Sequence, residues 1–181
     1  MTEPAAIMKT IESPVGRLWI TEVGGAIVRI AWTGRRTGDL GAESGETPLL
    51  ARAAEQLDEY FAGTCQDFDL PLDPAGTPFQ RRVWIEMARI PFGATASYGA
   101  LARKTGSVAR AVGGACGANP IPIVIPCHRV VGEGGALGGF SGGAGPTTKR
   151  ALLEIEGSPS REPDLFGNAR SGFKPAIEPF P

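Results

Sequence analysis

Pro126-Cys127-His128-Arg129-Val130 is the densest cluster of potentially reactive side chains in the chain. A cysteine attacks as its thiolate, and an imidazole or a cation nearby lowers the thiol pKa from about 8.5. His128 is the single histidine of the sequence, and it adjoins that cysteine. Neighbours in an extended segment point to opposite faces, so a working pair needs either a bend, which Pro126 can supply, or a bridging water. The competing reading is a small buried thiol beside a surface imidazole. Cys65 and Cys116 read more simply as inert packing thiols. No C-x-x-C pair is present and tetrahedral sites want four N or S ligands, so no metal is expected. The glycines of 132–145 form neither G-x-G-x-x-G after a strand nor a run before G-K-[ST], which leaves a nucleotide-phosphate loop unsupported.

The elements that must position this cluster come from periodicity and punctuation. Ile7–Glu12, Leu18–Val23 and Ile27–Trp32 are short, rich in β-branched and aromatic residues, and separated by Ser13-Pro14 and Gly24-Gly25. They read as consecutive antiparallel strands. The Gly-rich stretch 33–47 is a loop. Leu50, Ala54, Leu57 and Phe61 recur at helical spacing, predicting a helix from Pro48 to Ala62. Thr64–Leu70 suits another strand, and Pro71, Pro74 and Pro78 form a stiff connection. Phe79, Val83, Met87 and Ile90 share one face of a helix over 79–90, stopped by Pro91-Phe92-Gly93. Ser97 caps a helix through Lys104. Gly106-Ser107 then turns the chain into a further helix from Val108 to about Cys116. Helix, short turn, helix is the outline of a helix-turn-helix, although packed helices with no nucleic-acid role give the same outline. An apolar segment over 121–131 broken by Pro122 and Pro126, a Gly-rich stretch, and a last helix over 147–156 ending at Gly157 complete the pattern.

The expected fold class is therefore α/β: an antiparallel-sheet subdomain over 1–75, a mostly helical subdomain over 76–157 holding the helix-turn-helix, and a flexible tail over 158–181. The formal net charge of −1 conceals an asymmetry. Residues 1–78 carry six Lys/Arg against twelve Asp/Glu, whereas 79–156 carry nine against four. A basic half beside an acidic half suggests a polyanionic partner for the second half, with chance surface asymmetry as the alternative. Three widely spaced cysteines argue against a disulfide framework. MTEPAAIMKTIE does not read as an export signal, and no apolar run reaches the roughly 20 residues of a membrane helix. The expected compartment is the reducing cytoplasm, with no membrane partner.

FQRRVW (79–84), SYGALA (97–102), RAVGGACGANPIPIVIPCHRVVG (110–132), FSGG (140–143) and KRALLEIEG (149–157) together resemble the O6-alkylguanine-DNA alkyltransferases. The motifs occur in the family's order between Phe79 and Gly157, and the run from Arg110 to Gly132 is the most specific. The N-terminal half is consistent with the family's ribonuclease-H-like domain without a comparable signature.

The resemblance implies DNA repair by direct reversal. Cys127 would accept the alkyl group from O6-alkylguanine, and from O4-alkylthymine, in duplex DNA, once per molecule and without a cofactor. His128 would act as base through a bridging water, oriented by Glu156; counting back from the Glu-Gly pair selects Glu156 over Glu154. Asn119 would brace the turn that holds the active-site segment, and Tyr98 would hydrogen-bond the departing guanine. Arg110 would fill the base stack when the nucleotide rotates out, a step that costs a few kcal/mol and needs an offset. Ala109, Ala111, Gly113 and Gly114 would let the helix lie close in the minor groove, although small residues equally permit helix–helix packing. Val130, Phe140 and Ser141 would line the base pocket. The chain departs from the family pattern where Phe140 replaces a frequent tyrosine and where the loop between Gly143 and Lys149 is longer than in human-type members. It also lacks the zinc ligands that some members carry and the extra cysteine-rich domain of the adaptive-response relatives. A monomer in solution is expected, with cooperativity on DNA left open. Three other functions compete: a lesion-binding module that recruits repair factors, a cysteine hydrolase using Cys127 and His128, and a helix-turn-helix transcription factor.

Overall fold

A computed structural model describes residues 5–34 and 41–158; the tail expected to be flexible lies almost wholly outside the described residues. Strands β1 (Ala6–Ile11), β2 (Leu18–Val23) and β3 (Ala26–Trp32) form an antiparallel meander. Their two connections include Gly16 and Gly24-Gly25, which take positive φ that residues with a Cβ rarely adopt. Inside the stretch expected to be only loop, β4 (Glu43–Ser44) pairs parallel to β1, giving the order β3-β2-β1-β4. Helix α1 (Pro48–Phe61) starts at Thr47, whose hydroxyl accepts from Leu50 N. It buries Leu50, Ala53, Leu57 and Tyr60 against the sheet and the core.

The strand expected over Thr64–Leu70 does not form. Phe68 and Leu70 are buried, but the backbone N–H of Asp69 donates to Gln56 Oε1 and not to a strand. Pairing resumes only at 71–73, where Ile27 N donates to Pro71 O and Asp73 N to Ile27 O. Prolines 71 and 74 carry no N–H, so this chain cannot supply a continuous ladder.

The second subdomain begins with α2 (Pro78–Ala88), where Thr77 and Gln80 form a reciprocal capping box. Ser97 caps α3 (Tyr98–Thr105), Gly106 ends it in the left-handed conformation, and α4 (Ala109–Gly117) follows after a short turn. Trp84, fully buried on α2, donates its indole N–H to Ala115 O at 2.8 Å and so fixes α4 on α2. A two-residue parallel pair, β5 (Ala96–Ser97) with β6 (Val130–Val131), sets the start of α3 beside the segment that carries Cys127. Helix α5 (Pro146–Ile155) ends at Glu156, and Gly157 follows at positive φ.

Candidate active site

Residues 121–131 are not the extended run that their composition suggests. Ile125 N donates to Ile121 O at 2.9 Å, closing a turn in which Ile123 has φ 75°. Ile123 is the only non-glycine residue with positive φ among the described residues. A β-branched side chain there costs on the order of 1–3 kcal/mol, so the surroundings must impose it. Asn119 does so from both sides. Its Nδ2 donates to Ile125 O at 2.8 Å, and its Oδ1 accepts from Ile121 N at 3.0 Å. After Pro126, residues Cys127–Arg129 form a single 3₁₀ turn. The bend removes the difficulty that neighbours in a strand face opposite ways: Cys127, His128 and Arg129 are all buried.

Glu156 lies at the centre of this cluster. His128 Nε2 is 2.6 Å from its Oε1, and Arg129 reaches it with Nε at 2.9 Å from Oε2 and Nη2 at 3.0 Å from Oε1. Gly93 N donates to Oε2 at 3.2 Å, and the Tyr60 hydroxyl donates to Oε1 at 2.7 Å. Burial would raise the carboxyl pKa, but the His128 and Arg129 donors outweigh it and hold Glu156 at about 2. An ionised carboxylate only accepts, so Nε2 of His128 carries the proton in this bond. Burial pushes the imidazole pKa below its ordinary value, against the pull of Glu156. The ring is thus a neutral base whose lone pair sits on Nδ1. That atom is buried and has no protein hydrogen-bond partner. Glu154, two residues earlier, is exposed.

Burial raises the Cys127 thiol, while the Asn119 amide, the Lys149 ammonium and the backbone N–H groups of Cys127 and His128 favour the thiolate. The site therefore keeps the proton on sulfur at rest and stabilises negative charge once it is removed. Lys149 is fully buried on α5, donates to Val130 O at 2.5 Å, and stands 5.7 Å from the centre of the Tyr98 ring. Tyr98 is half-buried, and burial pushes its hydroxyl up to about 12, so it remains a donor at neutral pH. Arg129, Lys149 and Tyr60 were not singled out by sequence reasoning. Arg129 lies inside the PCHR run, and Lys149 opens the last motif; Tyr60 carries no signal beyond a helical apolar position.

A cavity of about 620 Å³ reaches Cys127 between the subdomains. Arg29, Ala31 and Trp32 of β3 line one side; Cys116, Asn119, Pro122, Phe140 and Ser141 line the other. Phe140 packs edge-on against Trp32 with ring centres 6.1 Å apart. Gly142 fits only as glycine, since a Cβ would stand 2.6 Å from both rings. Ser141 is exposed and its hydroxyl lies 3.4 Å from Gly117 O.

On the opposite side of Cys116, α4 presents a bare surface. Val108, Ala109 and Arg110 are exposed, and Val108 is the only large hydrophobic residue so exposed among the described residues. A Cβ at Gly114 or Gly117 would meet nothing within 4 Å, and at Gly113 only the edge of Tyr98 at 4.0 Å. Packing inside the molecule therefore does not require these glycines. Val112, Ala115 and Cys116 form the inward face instead. Among the described residues no group of three or more His, Cys, Asp or Glu side chains is arranged to hold a metal, and no helix is long and apolar enough to cross a membrane.

Two domain descriptions fit the chain in the order in which its subdomains occur. The 6-O-methylguanine DNA methyltransferase ribonuclease-like domain matches residues 7–74, and the DNA binding domain of the same family matches residues 78–158. The chain belongs to this family. Its relatives include the methylated-DNA–protein-cysteine methyltransferase of Mycobacterium tuberculosis, 44% identical over 160 residues, covering 83% of this chain and 92% of that protein. The constitutive enzyme of that name from Bacillus subtilis is 44% identical over 154 residues, covering 81% and 93%. In three dimensions the chain matches Mycobacterium tuberculosis OGT solved in complex with DNA, with a TM-score of 0.77, 42% identity, and coverage of 87% and 96%. A methyltransferase of Methanococcus jannaschii shares the fold at a TM-score of 0.61 and 30% identity. The family's two-part architecture thus corresponds to the strand-rich and helical subdomains described above.

Proposed function

We propose that this DNA-repair methyltransferase works by irreversible transfer of the O6-alkyl group of guanine in duplex DNA to Cys127, one event per molecule. The observation that carries the reading is the buried Cys127–His128–Glu156 arrangement, with Glu156 ionised, the Nε2 proton committed to it, and Nδ1 left as the basic atom. A water between Sγ and Nδ1 passes the thiol proton to His128. The sulfur lone pair then attacks the alkyl carbon, and the electrons of the breaking C–O bond stay with O6 of guanine. The Tyr98 hydroxyl donates to the departing base and offsets its charge. The imidazolium is stabilised by Glu156. The product is a thioether, which no group in the site can hydrolyse, so turnover stops at one. O4-alkylthymine presents the same electrophile on a smaller base and is accepted by the same step.

The target base reaches the cavity by leaving the stack. In this reading α3 and α4 form the helix-turn-helix, α4 enters the minor groove on its bare face at Ala109, Ala111, Gly113 and Gly114, and Arg110 occupies the gap left by the rotated nucleotide. The solved DNA complex of the Mycobacterium tuberculosis relative supports DNA as the partner. The net positive charge of residues 79–156 favours the same polyanion. Residues 1–75 and 76–157 act as one unit at the site, as a monomer.

Intact mass after mixing the protein with duplex DNA carrying one O6-methylguanine tests the reading. A gain of about 14 Da, mapped to Cys127, is the expected result. Tight lesion binding with no mass change would replace transfer by recognition alone, and repeated turnover would favour the hydrolase.

A further inference from the structure

Tyr60 lies near the end of α1, fully buried, in the half of the chain that carries no reactive motif. Its ring is held edge-on by Phe61 and Phe92 and packs tilted against Phe68, so its direction is fixed by packing. The hydroxyl crosses between the subdomains, donating to Glu156 Oε1 at 2.7 Å and standing 3.4 Å from His128 Nε2. A buried tyrosine commonly finds some partner for its O–H. Here the partner is the very oxygen that accepts from the catalytic imidazole. Two donors on one oxygen compete, because each draws negative charge away from the other's bond.

We propose that Tyr60 is a positioning residue of the relay: its hydroxyl, supplied by the N-terminal subdomain, fixes Glu156 Oε1 and tunes how strongly that oxygen holds the His128 imidazolium. This rests on the Cys127–His128–Glu156 reading above. His128 is faced by Glu156 and Lys149 from α5, Tyr60 from α1, and its neighbours Cys127 and Arg129. Burial and the adjacent Glu156 charge keep the Tyr60 hydroxyl far above the ordinary phenol range, so it is a donor at every pH of interest. Removing it leaves Glu156 Oε1 more basic towards His128, while Arg129 and Lys149 are unchanged. The imidazolium is then harder to deprotonate. Since the neutral ring is the base, activity is lost at a higher pH on the acidic side.

The test is the rate of reaction of the full chain with free O6-benzylguanine from about pH 5 to 8. In Tyr60→Phe the acidic limb is expected to move up by roughly half to one pH unit, with the plateau within a few-fold of the parent. Tyr60→3-fluorotyrosine keeps the ring's shape and strengthens the donor, and moves the limb down; it decides the matter alone if Tyr60→Phe does not fold. His128→Ala separates the role of Tyr60 from that of the relay itself. A limb that disappears with His128 but ignores both Tyr60 variants overturns the role of Tyr60 and leaves the relay. A limb that survives His128→Ala overturns the relay reading, and the role of Tyr60 with it.

Discussion

The two subdomains differ in charge, in motif content and in the way they serve the site. The helical one supplies Cys127, His128, Glu156, Asn119 and Tyr98 from a span of 59 residues, and its local sequence is dense with reactive or special groups. The strand-rich one lines one wall of the cavity with Arg29, Ala31 and Trp32 but supplies no group to the proposed proton transfer or displacement. It supplies packing and one hydroxyl: Tyr60 on Glu156, Trp32 against Phe140, and Ile30, whose N–H donates to Pro120 O at 2.9 Å beside the strained turn. Chemistry can be concentrated in one half because the other half removes water and fixes the frame. A buried carboxylate with five donor groups keeps its charge only where such a frame exists.

Cys127→Ser should separate the two halves most strongly, reducing transfer below detection while lesion-containing DNA is still bound, as measured by intact mass and by a mobility shift. The helical half is then inactive with the frame intact.

Glu156→Gln comes next. It leaves Arg129 buried without its anionic partner, a change that costs about 3–5 kcal/mol and should appear as a marked fall in the denaturation midpoint. The pH dependence has a definite sign. The folded-state carboxyl is depressed to about 2. Its contribution is therefore full above the ordinary carboxyl range and lost as pH falls from there towards about 2. Urea midpoints measured across this window should fall steeply for the parent chain and more gently for Glu156→Gln. Equal slopes would mean that other carboxylates govern acid unfolding.

Arg110→Ala tests the outer face of α4. Capture of duplex substrate should weaken on the order of tenfold to a hundredfold, while reaction with free O6-benzylguanine keeps its rate. Equal slowing of both substrates would move Arg110 from the DNA face into the relay's support. The smallest effect is Gly114→Ala. No atom lies within 4 Å of the added methyl, so thermal stability should stay level or rise by up to about 1 kcal/mol as the helix gains propensity. Affinity for duplex DNA should nevertheless fall if α4 docks in the groove as proposed, because the added methyl would then stand between them. Unchanged affinity would return the small residues to a role in folding alone.

Much of the frame was legible in the residues themselves. Enrichment in β-branched and aromatic residues between turn signals marked the three strands of the meander, and Pro48, Ser97 and Gly157 punctuated helices α1, α3 and α5. Cys127 and His128 stood out because thiol and imidazole chemistry is recognisable from residue type alone. Glu156 did not: a glutamate before a glycine at a helix end is ordinarily solvated. Here it is 5% exposed because α5 docks its end against the 3₁₀ turn and Gly93. Thr64–Leu70 misled because its composition suits a strand while its backbone turns back onto α1: the N–H groups of Thr64 and Cys65 donate to Glu59 O and that of Asp69 to Gln56 Oε1.

The meander, the helix caps and the candidate nucleophile Cys127 were legible locally, since they follow from bonds and side-chain chemistry within a few residues. Tertiary structure alone decided which glutamate is buried, which histidine nitrogen is basic, that Ile123 must accept a strained backbone, and that Tyr60 and Trp32 reach the site from the other half. Those outcomes depend on desolvation and on contacts between residues up to 108 positions apart, and no periodicity encodes them.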